Sequence, residues 1–303
     1  MSRKEFDCIT VGDLFIDIVM SGFPALPRLG EEAIAQPMRP EVRGGAAITA
    51  CGLARLGART SILALVGQSD GAWAVERLQS GGVRTDLTRF HLSEPTGLTV
   101  AVSTREDRAF FTYTGANQFL NELLRDPQTP LQLARARHVH FAMPIAPALL
   151  RQLAGRLHEA GTTISLDVGW QPGWLEDERS LDALREVDLF FPNEREAERM
   201  TGQSSPEGML QSLAAAGASC VALKLGPRGS MLLCGDEILE CPPHPVDALD
   251  STGAGDCFDA GFLHGWLQDA SPEECLRLGN LCGALSTRAL GGVTAFPHPL
   301  ELS

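Results

Sequence analysis

Several things this chain lacks narrow what it can be. Neither G-x-x-x-x-G-K-[ST] nor G-x-G-x-x-G occurs in its 303 residues. The P-loop and the Rossmann fingerprint, the commonest glycine-rich nucleotide motifs, therefore have no basis here. No C-x-x-C pair occurs either. Cys8, Cys51, Cys220, Cys234, Cys241, Cys257, Cys275 and Cys282 are scattered through apolar segments, which leaves a zinc knuckle or thioredoxin-type motif unsupported and suits reduced, buried thiols. Positive charge is short: 25 Lys and Arg stand against 38 Asp and Glu, a net charge of −13. That balance argues against nonspecific nucleic-acid binding. Long apolar runs are missing, and the first apolar stretch is interrupted by Asp7, Asp13 and Asp17, unlike a membrane span or signal peptide. The expected setting is cytoplasmic, with neither a membrane nor a nucleic acid as partner.

What remains is globular in composition, 44% hydrophobic and 21% charged. The length allows one large domain or two small ones. No Ser/Gly linker or tandem repeat divides it, so the expectation is one core domain (residues 1–303) plus a lid. The most informative stretch lies near the C-terminal end: Asp250-Ser251-Thr252-Gly253-Ala254-Gly255-Asp256, then Cys257-Phe258-Asp259-Ala260-Gly261-Phe262. Phe258, Phe262 and Trp266 recur at helical spacing, so a tight small-residue loop feeds a helix. Such a loop is an anion site, because unpaired N–H groups and the positive dipole end point outward together. Asp256, at the same mouth, is placed to accept a proton from a hydroxyl attacking a phosphoryl group. The plainer alternative is a capped helix behind a glycine turn.

Along the chain, Cys8 to Val19 reads as one or two strands broken at Gly12, with Asp13 at a strand end in water. A helix runs from about Ala46 to a C-cap at Gly57. Thr60 to Gly67 reads as a strand, and Asp70 caps a helix reaching Ser80. Leu87 to His91, Gly97 to Ser103 and Arg108 to Tyr113 are further strands, the last two joined by the turn Thr104-Arg105-Glu106-Asp107. Arg105 and Arg108 read as solvated turn charges, with ligands for a substrate phosphate as the other option. Val139 to Met143, Thr163 to Asp167, Leu189 to Pro192 and Ala218 to Leu225 alternate with helices such as Ala148 to Ala160 and Pro206 to Ala216. That alternation implies a mostly parallel sheet with helices on both faces, and ligands sit beyond the carboxyl ends of such strands. His138 and His140 share a strand face and read as packing residues. Asp167 to Trp174 follows a strand end, a position suited to contacting a ligand, while the pair Trp170 and Trp174 reads as a structural turn. Asn193 with Glu196 forms a capping-box pattern. Lys224, Gly226 and Gly229 close another strand with a glycine turn.

D-x-T-G-A-G-D-x-F-x-A-G-F resembles the C-terminal signature of the PfkB/ribokinase family of carbohydrate kinases, and N-x-x-E at Asn193–Glu196 resembles its second motif. The resemblance implies a ribokinase-like three-layer α/β fold with a small β lid, built from segments near 13–43 and 95–115, and a hinge at Gly115-Ala116-Asn117. It implies ATP-dependent phosphorylation of a sugar hydroxyl, with Asp256 as base and Gly253, Ala254 and Gly255 as anion hole. Asp17 and the Gly44-Gly45 pair would hold the sugar, joined by Thr49 where the family usually has Asn. Lys224, Gly226, Gly229, Thr252 and Asn280 would serve the nucleotide. Asn193 and Glu196 would bind Mg2+ through water. The family also leaves open a monovalent cation near Asp250 and a homodimer formed through the lids. Two rivals stand beside this reading: a nucleoside kinase of the same family, and a catalytically silent sugar-binding regulator.

Overall fold

In the computed structural model, which describes residues 3–23, 25–35, 38–104, 108–289 and 291–302, the apolar runs assemble side by side. Strands β1 (Phe6–Gly12), β4 (Thr60–Leu63), β9 (Ala136–Ala142), β10 (Thr163–Asp167), β11 (Leu189–Phe190) and β12 (Cys220–Lys224) run parallel. Antiparallel β13 (Ser230–Cys234) and β14 (Glu237–Cys241) extend one edge, giving the order β14-β13-β12-β11-β10-β9-β1-β4. Every residue of β1 except Asp7 is buried, so both faces of the sheet must be covered. Helices Pro147–Glu159 and Pro206–Ala216 cover one face with Leu150, Leu153, Leu210 and Leu213. Helices Gly45–Arg55, Ala254–Trp266 and Pro272–Ser286 cover the other, around Leu53, Phe191, Phe258 and Phe262.

A second sheet holds β2 (Phe15–Phe23), β3 (Met38–Arg43), β7 (Gly97–Thr104) and β8 (Arg108–Tyr113) in the order β3-β2-β7-β8. Its two junctions with the core meet: the Asn117 amide accepts from Leu14 N at 3.0 Å and donates to Leu14 O at 3.1 Å. Parallel strands require that their carboxyl ends share one edge, and that edge gathers Asp13, Asp167, Asn193 and Lys224 from four different strands or the residues just after them. No helix among the described residues is long and apolar enough to cross a membrane.

Three local expectations change. Thr60 to Gly67 is two strands, because the chain leaves the main sheet at Ala64 and β5 (Leu65–Gly67) pairs with β6 (Arg89–His91) instead. Asp70 does not cap the helix Ala72–Ser80, whose N-cap is Gly71; its carboxylate accepts from Thr96 N and Oγ1 at 2.9 and 2.7 Å. Asp13 is not in water: it is half-buried, and burial pushes its carboxyl up to about 6. The glycine turn at Gly226–Gly229 joins β12 to β13 as a hairpin, the plainer reading of those two glycines. Residues 105–107 of the lid turn, Arg105 with them, and the Arg108 side chain lie outside the described residues.

Candidate active site

The helix Ala254–Trp266 starts abruptly because Gly253, its N-cap, holds φ 72° and ψ 7°. A Cβ there would stand 2.8 Å from Ile48 Cδ1 and 3.1 Å from the Gly292 Cα, so only glycine fits both the conformation and the space. The Ala254 N–H turns back to Ser251 O at 3.2 Å. The Gly253 and Gly255 N–H groups meet no acceptor among the described residues and remain the loop's outward donors. Upstream, Asp250 braces the loop: Oδ1 accepts from Thr252 N at 2.9 Å, and Oδ2 accepts from Gly291 N at 3.0 Å.

Asp256 is held from the other side by the helix Gly45–Arg55. Thr49 Oγ1 donates to the Asp256 carbonyl at 3.1 Å, so Thr49 positions the loop's backbone. A Cβ on Gly45 would lie 2.9 Å from Asp256 Oδ1, and one on Gly44 (φ 112°) would lie 2.0 Å from the Asp13 carbonyl. Gly45 is thus the space against which the Asp256 carboxylate fits, while Gly44 lets the chain pass the Asp13 backbone. Burial, reinforced by the negative charge of Asp167 and only partly offset by Lys224 and Arg43, pushes the Asp256 carboxyl up to about 7. A carboxylate at that level is a competent base at neutral pH.

Beneath the loop lies a buried charge cluster. Lys224 Nζ donates to Asp167 Oδ2 at 2.6 Å and to Asp259 Oδ1 at 3.1 Å. One carboxylate oxygen from each of Asp167, Asp256 and Asp259 lies within 4.8 Å of the others. Burial alone would raise Asp167, but Lys224 and the hydrogen bond from the Gly169 N–H carry it down to about 2. Asp259 goes well above its ordinary value, driven first by burial and then by Asp167, against the pull of Lys224. Lys224 is held protonated: Asp167 and Asp259 outweigh its desolvation. Its charge is therefore already shared between two carboxylates, although the side chain also reaches the cavity wall near Gly255. His138 and His140 are fully buried and both bond Ser165 Oγ, at 2.7 and 2.8 Å; burial holds them neutral. They are packing residues at the sheet centre.

Asn193 and Glu196 form a reciprocal capping box on the helix Glu194–Thr201, at 2.8 and 3.0 Å. Glu196 is 3% exposed, and burial with nearby Asp167 pushes it up to about 7. A buried carboxylate so short of positive charge is a fitting second-sphere partner for a hydrated cation.

Two cavities meet at the glycine loop. One, of about 530 Å³, is lined by Lys224, Gly226, Gly229, Ser251, Ala254, Gly255, Phe258 and Asn280, with Pro243, Pro245 and Val246 as an apolar wall. Asn280 supports that wall, donating to Cys241 O and Pro242 O at 3.1 and 3.0 Å. The other, of only about 30 Å³ in this structure, lies against the four-stranded sheet and is lined by Asp17, Arg43, Phe110, Thr252, Gly291 and Gly292. Thr252, expected on the nucleotide side, faces this second cavity. Arg43 and Asp259 were not among the expected site residues, and Asp167 was noted only as lying at a strand end suited to a ligand. Arg43 stands directly before the di-glycine, Asp167 ends a strand, and Asp259 lies one helical turn beyond Asp256; those positions were the available signals.

Comparison with known proteins gives the family. Residues 11–299 match the pfkB family carbohydrate kinase model. A 2-dehydro-3-deoxygluconokinase from Bacillus subtilis is 32% identical over 276 residues, covering 86% of this chain and 85% of its own. Arabidopsis thaliana ribokinase, solved with ribose and ATP, superposes with a TM-score of 0.83 at 26% identity, over 98% of this chain and 97% of its own. A ribokinase from Thermotoga maritima shares the fold at a TM-score of 0.83 and 23% identity, over 98% of each chain. The chain belongs to the pfkB family of carbohydrate kinases and is a phosphotransferase with an alcohol group as acceptor.

Proposed function

We propose that this kinase moves the γ-phosphoryl group of ATP to a hydroxyl of a small sugar, with Asp256 as the base. One observation carries the reading: the loop Ser251–Gly255 is the shared wall of two cavities. Ser251, Ala254 and Gly255 face the larger one, Thr252 faces the smaller, and Asp256 follows directly. A donor and an acceptor bound on the two sides would meet at an anion-binding helix start. The larger cavity suits a nucleotide, since its apolar Pro- and Val-lined wall can take a base while its Gly255 and Lys224 end is polar. The Arabidopsis relative was solved with ribose and ATP, which supports a sugar and a nucleotide as the two ligands.

In this mechanism Asp256 takes the hydroxyl proton, and the Gly253 and Gly255 N–H groups stabilise charge on the transferring group, as preorganised donors do. Lys224 contributes less as a direct phosphate ligand than its sequence position implied, because Asp167 and Asp259 already hold it. Mg2+ would be held through water by Glu196 and Asn193 and would supply charge neutralisation at the phosphates. Asp17 holds sugar hydroxyls, and closure of the four-stranded sheet excludes water. The exposed Phe111 and Tyr113 on β8 are consistent with a lid that pairs with a second copy, and a cytoplasmic setting fits ATP as donor.

The test is ADP release from MgATP across sugars, sugar phosphates and nucleosides. Turnover on a sugar upholds the reading. Turnover on nucleosides alone makes the chain a nucleoside kinase, and ligand-induced thermal stabilisation without turnover makes it a binding protein.

A further inference from the structure

Packing accounts for the burial of His138 and His140 but not for where their ring hydrogens lie, and those hydrogens bear on the base. Strand register sets His138 beside Thr163 and His140 beside Ser165 across β9 and β10. The side chains join into one chain: Thr163 Oγ1 to His138 Nδ1 at 2.8 Å, His138 Nε2 to Ser165 Oγ at 2.7 Å, and Ser165 Oγ to His140 Nδ1 at 2.8 Å. The last nitrogen, His140 Nε2, has no hydrogen-bond partner among the described residues, and neither has Asp259 Oδ2. These two atoms face each other 3.9 Å apart, between side chains with no solvent access. The His140 ring stands edge-on against Phe191, with centroids 6.0 Å apart, so a small rotation of the Asp259 carboxyl is the simplest way to close the pair.

Hydrogens can run along this chain in only two directions. Ser165 has one hydroxyl hydrogen and two ring nitrogens to satisfy, so it donates to one and accepts from the other. With both rings neutral, the two histidines then carry their hydrogen at the same ring position. Both on Nδ1 leaves His140 Nε2 a bare acceptor; both on Nε2 points a hydrogen at Asp259. The charge on Asp259 selects between them. Asp259 shares the single ammonium of Lys224 with Asp167, at 3.1 against 2.6 Å, and an oxygen of Asp256 lies within 4.8 Å of both acids. One ammonium cannot keep three acids ionised at that spacing out of water. Asp259 has the weaker hold on it, and burial and then Asp167 raise its carboxyl against the pull of Lys224. Its Oδ1 already accepts from Lys224, so the acid hydrogen belongs on Oδ2, aimed at His140.

We propose that Asp259 works as a neutral acid donating to His140 Nε2, and that the chain His140–Ser165–His138–Thr163 reserves that nitrogen as its acceptor. His140 and Ser165 are thus positioning residues: they keep a further carboxylate charge from forming behind the base, one helical turn from Asp256. The catalytic part of this rests on the kinase reading above.

Two measurements on the intact chain test it. Long-range proton–nitrogen NMR spectra of histidine-labelled protein read the ring positions and need no substrate. His138 and His140 should both carry Nδ1–H. An Nε2–H on His140, or different positions on the two rings, overturns the inference even where the kinase is upheld. The second measurement is the pH dependence of kcat/KM in Ser165→Ala. Without the hydroxyl, His140 Nδ1 has no acceptor, so its hydrogen moves to Nε2 and favours ionised Asp259. The acid limb set by Asp256 should then move up by about half a unit or more. Ser165→Ala/Asp259→Asn should bring it back, because an amide cannot ionise. Asp256 also feels Asp167, Lys224, Arg43 and Glu196, and the Ser165 change removes none of them. A limb that moves by less than about half a unit, or downward, overturns the inference, and so does a shift that persists in the double variant. Turnover on no acceptor overturns the kinase reading, and the ring positions still decide this one.

Discussion

Asp256 has to be anionic to take a proton, and its surroundings oppose that charge. Burial and Asp167 raise the carboxyl to about 7, so kcat/KM should fall about tenfold per pH unit below that value and level off above it. A pH–rate profile checks this. The same shift has a cost in stability. A carboxyl raised in the folded state contributes stability below its ordinary value of about 4, and that contribution is lost as the pH rises through 7. Asp256→Asn should therefore melt higher than wild type at pH 8, by a margin on the order of 1–3 kcal/mol because the carboxylate keeps some contact with the cleft. The two proteins should converge near pH 4. At the neighbouring position, Gly45→Ala places a methyl 2.9 Å from Asp256 Oδ1. It should lower kcat by about 10- to 100-fold while the KM for ATP holds, because the base is displaced and the nucleotide cavity is not touched. Asp256 was legible in the sequence because its whole loop is contiguous. Arg43 and Asp167 were not, because what defines them is a partner 26 or 57 positions away, and no local pattern records such a contact.

At the scale of elements, the site depends on β10, β12 and the helix Ala254–Trp266 being pinned together by Lys224. Removing that ammonium leaves Asp167 and Asp259 facing each other, both with almost no solvent access. Lys224→Met should cost about 3–5 kcal/mol, measured by denaturant unfolding. Adding Asp259→Asn should recover part of the loss, since an amide cannot carry a charge beside Asp167. If Lys224 served only the nucleotide, stability would hardly change and the KM for ATP alone would rise. The alternation of strands and helices was readable because periodicity is local. The split of Thr60 to Gly67 was not: eight residues, nearly all apolar, satisfy a strand pattern whichever sheet they join, and the exit at Ala64 is set by β6 lying alongside β5. Asp70 was misplaced for a related reason. It has the chemistry of a cap, but Thr96, 26 residues on, offers its carboxylate a hydroxyl and an N–H together.

For the molecule as a whole, the eight-stranded sheet fixes the catalytic edge while the four-stranded sheet is tied to it near Leu14 and Asn117. A sugar held by Asp17, as proposed, would link that sheet to the glycine loop. Hydrogen exchange should then slow in β2, β3, β7 and β8 when sugar is added, with little change in β9–β12. Uniform protection across both sheets would contradict a separately moving lid. Two layers of helix around a parallel sheet followed from the sequence pattern and from the family resemblance together. The glycine loop's position between two cavities did not, since a wall shared by two sites exists only once both are folded around it.

The central claim is that Asp256 is the base. Its most direct test is ADP formation by wild type and Asp256→Asn at pH 8 with a saturating productive sugar, with thermal unfolding recorded on the same preparations. Activity should fall by about 10²- to 10⁴-fold in the variant while its melting temperature rises. A variant that melts higher yet keeps activity within about tenfold of wild type would show that the proton leaves by another route.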